Sequence, residues 1–168
     1  MAVLATDTAS GYHRLYRLLM TMILVLLAGC AGNPPLDVRD TSGAEQDLSI
    51  DRVLIINRAK EALGTPYRYG GNTARGMDCS GLTQISYAAA GISIPRTSQQ
   101  QFDRLPHRDV ARPGDLLFFG SGSVSHVGVY IGDNRMIHAP GSGRTVRVSN
   151  ITKRYWREHY RGTAGPAP

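Results

Sequence analysis

Cysteine is scarce in this chain: its 168 residues include two, Cys30 and Cys79. So few exclude a disulfide framework as the source of stability, and a lone thiol has to be used or buried. No apolar run is long enough to cross a bilayer. The run Leu18 to Leu27 is about half of the roughly 20 residues a spanning helix needs. No basic run exceeds Lys153-Arg154 despite a formal net charge of +6, so the concentrated basic tail of many nucleic-acid binders is missing. No internal repeat is present, which removes solenoid and propeller architectures.

What is present begins at the N-terminus. His13, Arg14 and Arg17 precede the apolar run, and Leu27-Ala28-Gly29-Cys30 closes it. A basic region, a short apolar core and a small-residue exit make a signal peptide. Leu-Ala-Gly-Cys resembles the bacterial lipobox, whose cysteine is lipid-modified and becomes the mature N-terminus; an ordinary signal peptide with a chance cysteine is the alternative. The expectation is an exported protein held to a membrane by lipid on Cys30. Ala31 stands where an aspartate would retain a lipoprotein in the inner membrane, which by resemblance to Gram-negative sorting favours the outer membrane, facing the periplasm.

Removing residues 1–29 takes Arg14, Arg17 and Asp7 from totals of 19 basic and 13 acidic residues and leaves a mature charge of +5. Such a surface suits an anionic polymer, and cell-wall glycan with its peptide carboxylates is one. Scattered basic residues and export both argue against nucleic acid. With Cys30 lipidated, Cys79 has no intramolecular disulfide partner.

The chain divides into a signal peptide at 1–29, a lipidated N-terminus and flexible tether at 30–50, one domain at 51–162 and a disordered tail at 163–168. Val53, Ile56, Ala59, Ala62 and Leu63 fall at helical spacing and Gly64 stops that helix. A second helix is expected from Cys79 to about Ala90, burying Leu82, Ile85 and Ala89, and a short one around Ser98 to Asp103. Leu116–Phe119, Val127–Ile131, Met136–Ala139 and Thr145–Val148 read as strands, with a last one near Arg157–Arg161. Helices first and short strands after make an α+β fold, N-terminal helices on an antiparallel sheet.

Cys79 falls at the first turn of its helix with Asp78 as N-cap. Unpaired amides and the helix dipole there favour an anion, so its thiol pKa is expected below the usual value. Taken alone, it reads equally well as a small buried hydrophobe. Gly132-Asp133-Asn134 marks a hairpin turn between two apolar segments. A three-residue loop pairs Ile131 with Arg135 and Gly128 with His138. His126 then lies one diagonal step from His138, about 7 Å away on the same face. A two-residue loop would place the histidines on opposite faces. Either histidine alone could be structural. Together with the thiol, they form a nucleophile, a base and an orienting group. A Cys-His-His zinc site is the other reading of those three residues, but the spacing matches no common zinc motif. His107 and His159 lie outside these motifs and read as solvated or structural.

Tyr67-Arg68-Tyr69-Gly70-Gly71, Asp78-Cys79-Ser80-Gly81, Pro95-Arg96-Thr97-Ser98, Pro113-Gly114-Asp115-Leu116, His126-Val127-Gly128-Val129-Tyr130-Ile131 and Met136-Ile137-His138-Ala139 occur in this order. The series closely resembles the NlpC family of papain-like bacterial cell-wall cysteine peptidases, over about Asp51 to Gly162. The resemblance implies Cys79 as nucleophile, His126 as base and His138 as the residue orienting it. It places Asp78 and Ser80 at the stem peptide and Tyr67 near the oxyanion, and leaves Arg96 and Ser98 structural. It implies peptidoglycan as partner, no cofactor or metal, and a monomer. A non-catalytic wall-binding lipoprotein, or an amidase or acyltransferase on the same fold, are the competing readings.

Overall fold

Helix α1 (Ile50–Glu61) opens the domain, in a computed structural model that describes residues 48–166. The expected signal peptide, the lipidated Cys30 and nearly all of the tether lie outside the described residues. Among the described residues no helix is long and apolar enough to cross a membrane. The apolar stripe of α1 is rotated from the expected one. Val53 and Leu63 are exposed, while Arg52, Ile55, Ile56, Ala59 and Ala62 are buried. Arg52 explains the rotation. Its guanidinium lies 2.9 Å from the buried carboxylate of Asp115 and donates to the Pro113 carbonyl at 2.8 Å. Periodicity alone assigns arginine to solvent; a buried carboxylate partner reverses that assignment.

A small hairpin follows, β1 (Asn72–Thr73) with β2 (Gly76–Met77), just after a turn at Gly70. Helix α2 (Cys79–Ala88) begins as expected but ends sooner. It buries Leu82, Thr83, Ser86 and Tyr87, leaves Ile85 half-buried and exposes Ala89. Tyr87 turns inward because its hydroxyl finds the Gly114 carbonyl at 3.1 Å. Helix α3 (Ser98–Arg104) stands where the short helix was expected.

The remaining elements are β3 (His107–Arg108), β4 (Leu116–Phe119), β5 (His126–Tyr130), β6 (Arg135–His138), β7 (Arg147–Asn150), α4 (Arg154–His159) and β8 (Tyr160–Ala164). The strands form one six-stranded sheet, ordered β3-β8-β4-β5-β6-β7 and antiparallel throughout. The fold is α+β. Helices α1 and α2 pack on each other and on β5. Alternation along the strands builds two cores. Leu116, Phe118, Val127, Val129 and Ile137 face the helices with Ile55, Leu82 and Tyr87. Leu117, Phe119, Tyr130 and Met136 face the other way with Ile151 and Tyr160, under Trp156. Each fully buried side chain of this size contributes about 1.5–3 kcal/mol, and all four residues of β4 are buried.

Two other expectations shift. Strand β7 begins two residues late because residues 144–146 first pair with the segment before the β1–β2 hairpin: Tyr67 N–H donates to Arg144 O at 2.8 Å and Val146 N–H to Thr65 O at 2.8 Å. Helix α4 replaces the start of the expected last strand, and β8 runs past the expected domain end. Thr163 and Ala164 pair with both β3 and β4, and Gly165 N–H donates to Pro106 O at 3.0 Å.

Removing the partner of a buried charge is costly. Asp115→Ala should lower unfolding free energy by about 3–5 kcal/mol in urea titrations because Arg52 is left unpaired, whereas exposed Leu54→Ala should change it by less than about 0.5 kcal/mol.

Candidate active site

Asp78 is extended and caps α2, accepting the Gly81 N–H at 2.7 Å. Its carboxylate also accepts the Gly70 N–H at 2.8 Å and a two-pronged contact from Arg96, at 2.9 Å to one oxygen and 2.8 Å to the other. Arg96 further donates to Ser80 Oγ at 2.9 Å and to Gly71 O at 3.2 Å. Burial alone would raise the Asp78 pKa; hydrogen bonds from Arg96, Gly81 and Gly70, with the guanidinium charge, instead hold it below the usual carboxylate range. Asp78 and Ser80, expected at the stem peptide, are thus both engaged within the protein. Arg96 is the residue that joins them.

Cys79 follows, half-buried at the helix start. Here the structure departs from the sequence expectation. Burial is the largest influence and pushes the thiol above its ordinary pKa, and the Asp78 carboxylate adds to that; amides of Val127, Ser80 and Cys79 itself pull the other way without offsetting it. The helix-start amides act as anticipated. Desolvation outweighs them. Val127, whose amide is one of these influences, belongs to β5 and follows His126 in sequence. Tyr67 packs against the same core as Cys79. Burial first, and then interactions with Cys79 and the Asp78 carboxylate, raise its phenol pKa, so the hydroxyl stays protonated and able to donate.

The histidines depend on the hairpin register. Gly132, Asp133 and Asn134 all take positive φ, 87°, 49° and 55°, which these residue types tolerate best. Ile131 N–H donates to Arg135 O at 3.0 Å, and Val129 pairs with Ile137. That is the three-residue-loop register, so Gly128 stands opposite His138. A Cβ on Gly128 would meet Met136 Sδ at 2.7 Å and His138 Cβ at 3.2 Å; the missing side chain opens the space across which the imidazoles meet. His126 Nε2 and His138 Nδ1 are 2.8 Å apart. His138 Nε2 continues to Ser149 Oγ at 2.9 Å. A base needs one free lone pair. If Nδ1 of His126 accepts a proton, its Nε2–H donates to His138 Nδ1, and His138 Nε2–H donates to Ser149. One consistent tautomer chain results.

Burial lowers the His126 pKa to about 4. Burial, then His126, Arg147 and Arg144, lower that of His138 to about 3. Both rings are neutral at physiological pH. Trp156, in α4, stacks on His126 with centroids 5.6 Å apart and meets His138 edge-on at 5.1 Å.

Ser149 and Trp156 were not anticipated. Ser149 reaches His138 because Arg147 pairs with His138 and a residue two further along β7 shares that face, a register set by tertiary pairing. Trp156 is the one tryptophan of the chain, but nothing in the sequence placed it over a histidine. His107 and His159 bond backbone carbonyls of Phe102 and Tyr155, outside the site. Among the described residues no group of three His, Cys, Asp or Glu side chains is placed to hold a metal ion.

The NlpC/P60 family model matches residues 64–164. The chain is 38% identical over 116 residues to murein DD-endopeptidase MepH of Escherichia coli, a match covering 64% of this chain and 43% of that protein. It is 40% identical over 114 residues to a gamma-D-glutamyl-L-lysine dipeptidyl-peptidase of Bacillus cereus, covering 64% of this chain and 34% of that one. The crystal structure of an NlpC/P60 family protein from Bacillus cereus superposes with a TM-score of 0.66 at 38% identity, over 70% of this chain and 40% of that one. The chain spans less than half the length of each of these relatives. With the ordered sequence blocks, the helix-start cysteine and the paired histidines, the match settles the assignment: this chain belongs to the NlpC/P60 family.

Proposed function

We propose that this protein is a cysteine endopeptidase that hydrolyses peptide bonds in peptidoglycan stem peptides or cross-links, with Cys79 as nucleophile, His126 as base and His138 as its orienting residue. The observation that carries this reading is the hydrogen-bonded line His126–His138–Ser149, beside a thiol at a helix start. The two relatives named above are called a DD-endopeptidase and a gamma-D-glutamyl-L-lysine dipeptidyl-peptidase, so the substrate is stated as a class and not as one bond.

At rest the thiol pKa is raised and the imidazole is a weak base, so both are neutral. Substrate binding displaces water, and the thiol proton passes to His126 as sulfur attacks the carbonyl. Amides at the start of α2 and the Tyr67 hydroxyl receive the oxyanion. The imidazolium, oriented through Nε2 by His138, returns the proton to the departing amine, and water then hydrolyses the thioester with His126 again as base. Asp78, Ser80 and Arg96 hold the acyl-side wall. Lipid on Cys30 confines the enzyme to a membrane, the outer one where the envelope has two, within reach of the wall.

Purified protein incubated with muropeptides of known structure should release fragments whose masses identify the bond, and Cys79→Ala should release none. Hydrolysis by that variant at near wild-type rate would end the cysteine-peptidase reading. Cys30→Ala should move the protein out of the membrane fraction or stall its processing.

His126→Ala should lower kcat/KM by about 10²–10⁴-fold, the usual range for a lost acid–base group. His138→Gln keeps a hydrogen-bond partner and should cost less than His138→Ala; a glutamine variant as impaired as His126→Ala would reassign the roles.

The pH dependence follows from the two shifts. Because the charged imidazole is disfavoured, His126 remains a base until the pH falls to about 4, so the acid limb of kcat/KM should lie near there and not near 6.5. Because the thiol is raised, alkylation of Cys79 by iodoacetamide should keep accelerating with pH beyond 9.0, its ordinary value. A labelling rate that levels off at about pH 5 to 7 would instead signal a stored thiolate–imidazolium pair.

A further inference from the structure

A groove of about 380 Å³ opens beside the histidines, lined by Arg144, Arg147, Lys153, Tyr155 and Trp156, with His126 and His138 among its walls. None of the acyl-side residues, Tyr67, Asp78, Ser80 or Arg96, lines it. The volume falls within the range of small-molecule and peptide subsites.

Its charge is one-sided. Three cationic side chains line it and no carboxylate does. Elsewhere on the domain arginines take acidic partners, as in Arg52–Asp115, Arg96–Asp78, Arg135–Asp133 and Arg154–Glu158. Among the described residues, none of the ion pairs involves Arg144, Arg147 or Lys153. Like charges gathered in a concave site without a counter-ion raise the local concentration of anions. Arginine's planar fork in particular matches a carboxylate.

The position assigns a side. The base gives its proton to the departing amine, so the leaving fragment lies against His126 and away from the acyl-side wall. The groove starts at that ring and runs outward over β7 and α4.

We propose that this groove is a leaving-side subsite that binds a carboxylate of the departing peptide fragment through Arg144, Arg147 and Lys153, with Trp156 as its apolar wall. The inference rests on the endopeptidase reading for its place in the reaction, but its binding can be read without turnover. Stem peptides carry free carboxylates, and amidation of one removes the charge while keeping the shape.

The test uses two peptides that differ only in a carboxylate or a carboxamide on the leaving fragment. In Cys79→Ala protein, fluorescence of Trp156, the sole tryptophan, should report binding of the carboxylate peptide about tenfold tighter or better, equivalent to about 1.4 kcal/mol. Combining Arg144→Gln with Arg147→Gln should collapse that ratio toward one and flatten its salt dependence. In the active enzyme the same preference should appear in KM. Equal binding of both peptides by the protein with intact arginines, or equal weakening of both by the double substitution, would overturn the subsite. Selective binding without hydrolysis by the wild-type enzyme would keep the subsite and overturn the endopeptidase reading.

Discussion

The Asp78 carboxylate is the constraint on which the site depends. Three segments must meet before Cys79 has a fixed position: the turn at Gly70, the first turn of α2, and the loop carrying Arg96. One side chain joins all three, through Gly70, Gly81 and Arg96. A buried carboxylate with this many donors is stable as an anion, because each donor replaces a lost water. Gly81 makes the junction sterically possible, since a Cβ there would collide with the Gly71 carbonyl. The residue before Cys79 therefore sets where the helix start stands and, through its charge, opposes the ionisation of the thiol. Positioning and activation pull against each other within one dipeptide.

The histidine line resolves a second conflict. Two imidazoles in a low-dielectric site lose basicity, yet the proposed roles of base and orienting partner require them to be held rigidly. Using a neutral third member gives direction without charge. A carboxylate in the place of His138 would stabilise an imidazolium at His126; a neutral imidazole adds no such charge. Ser149 ends the line with a hydroxyl that can both accept and donate, which lets the chain of tautomers close without a further charged group.

How much was legible in the sequence follows from the range of each determinant. The hairpin register came from Gly132-Asp133-Asn134, three adjacent residues whose backbone preference selects the loop length, and with it the shared face of His126 and His138. The N-cap at Asp78 is likewise local. The face of α1 was not, because Arg52 turns inward only for a carboxylate 63 residues away, at Asp115. The direction of the thiol shift was missed for a related reason. Helix-start amides can be counted from a motif, whereas desolvation depends on what packs around the sulfur. Ser149 and Trp156 arrive through β7 and α4, elements whose bounds depend on the segment at 64–67 and on the core around Phe119.

The strand order has a consequence in time. Strand β8 contains the last residues of the sheet in sequence, yet it lies between β3 and β4, in the interior. Until those residues are available, β4 keeps one edge unpaired and β3 has no neighbour at all. Every β4 side chain is buried in the finished domain, so an intermediate lacking β8 would present an apolar, unsatisfied edge prone to wrong pairing. A chain emerging N-terminus first thus carries its cysteine and both histidines well before it can close the sheet that holds them.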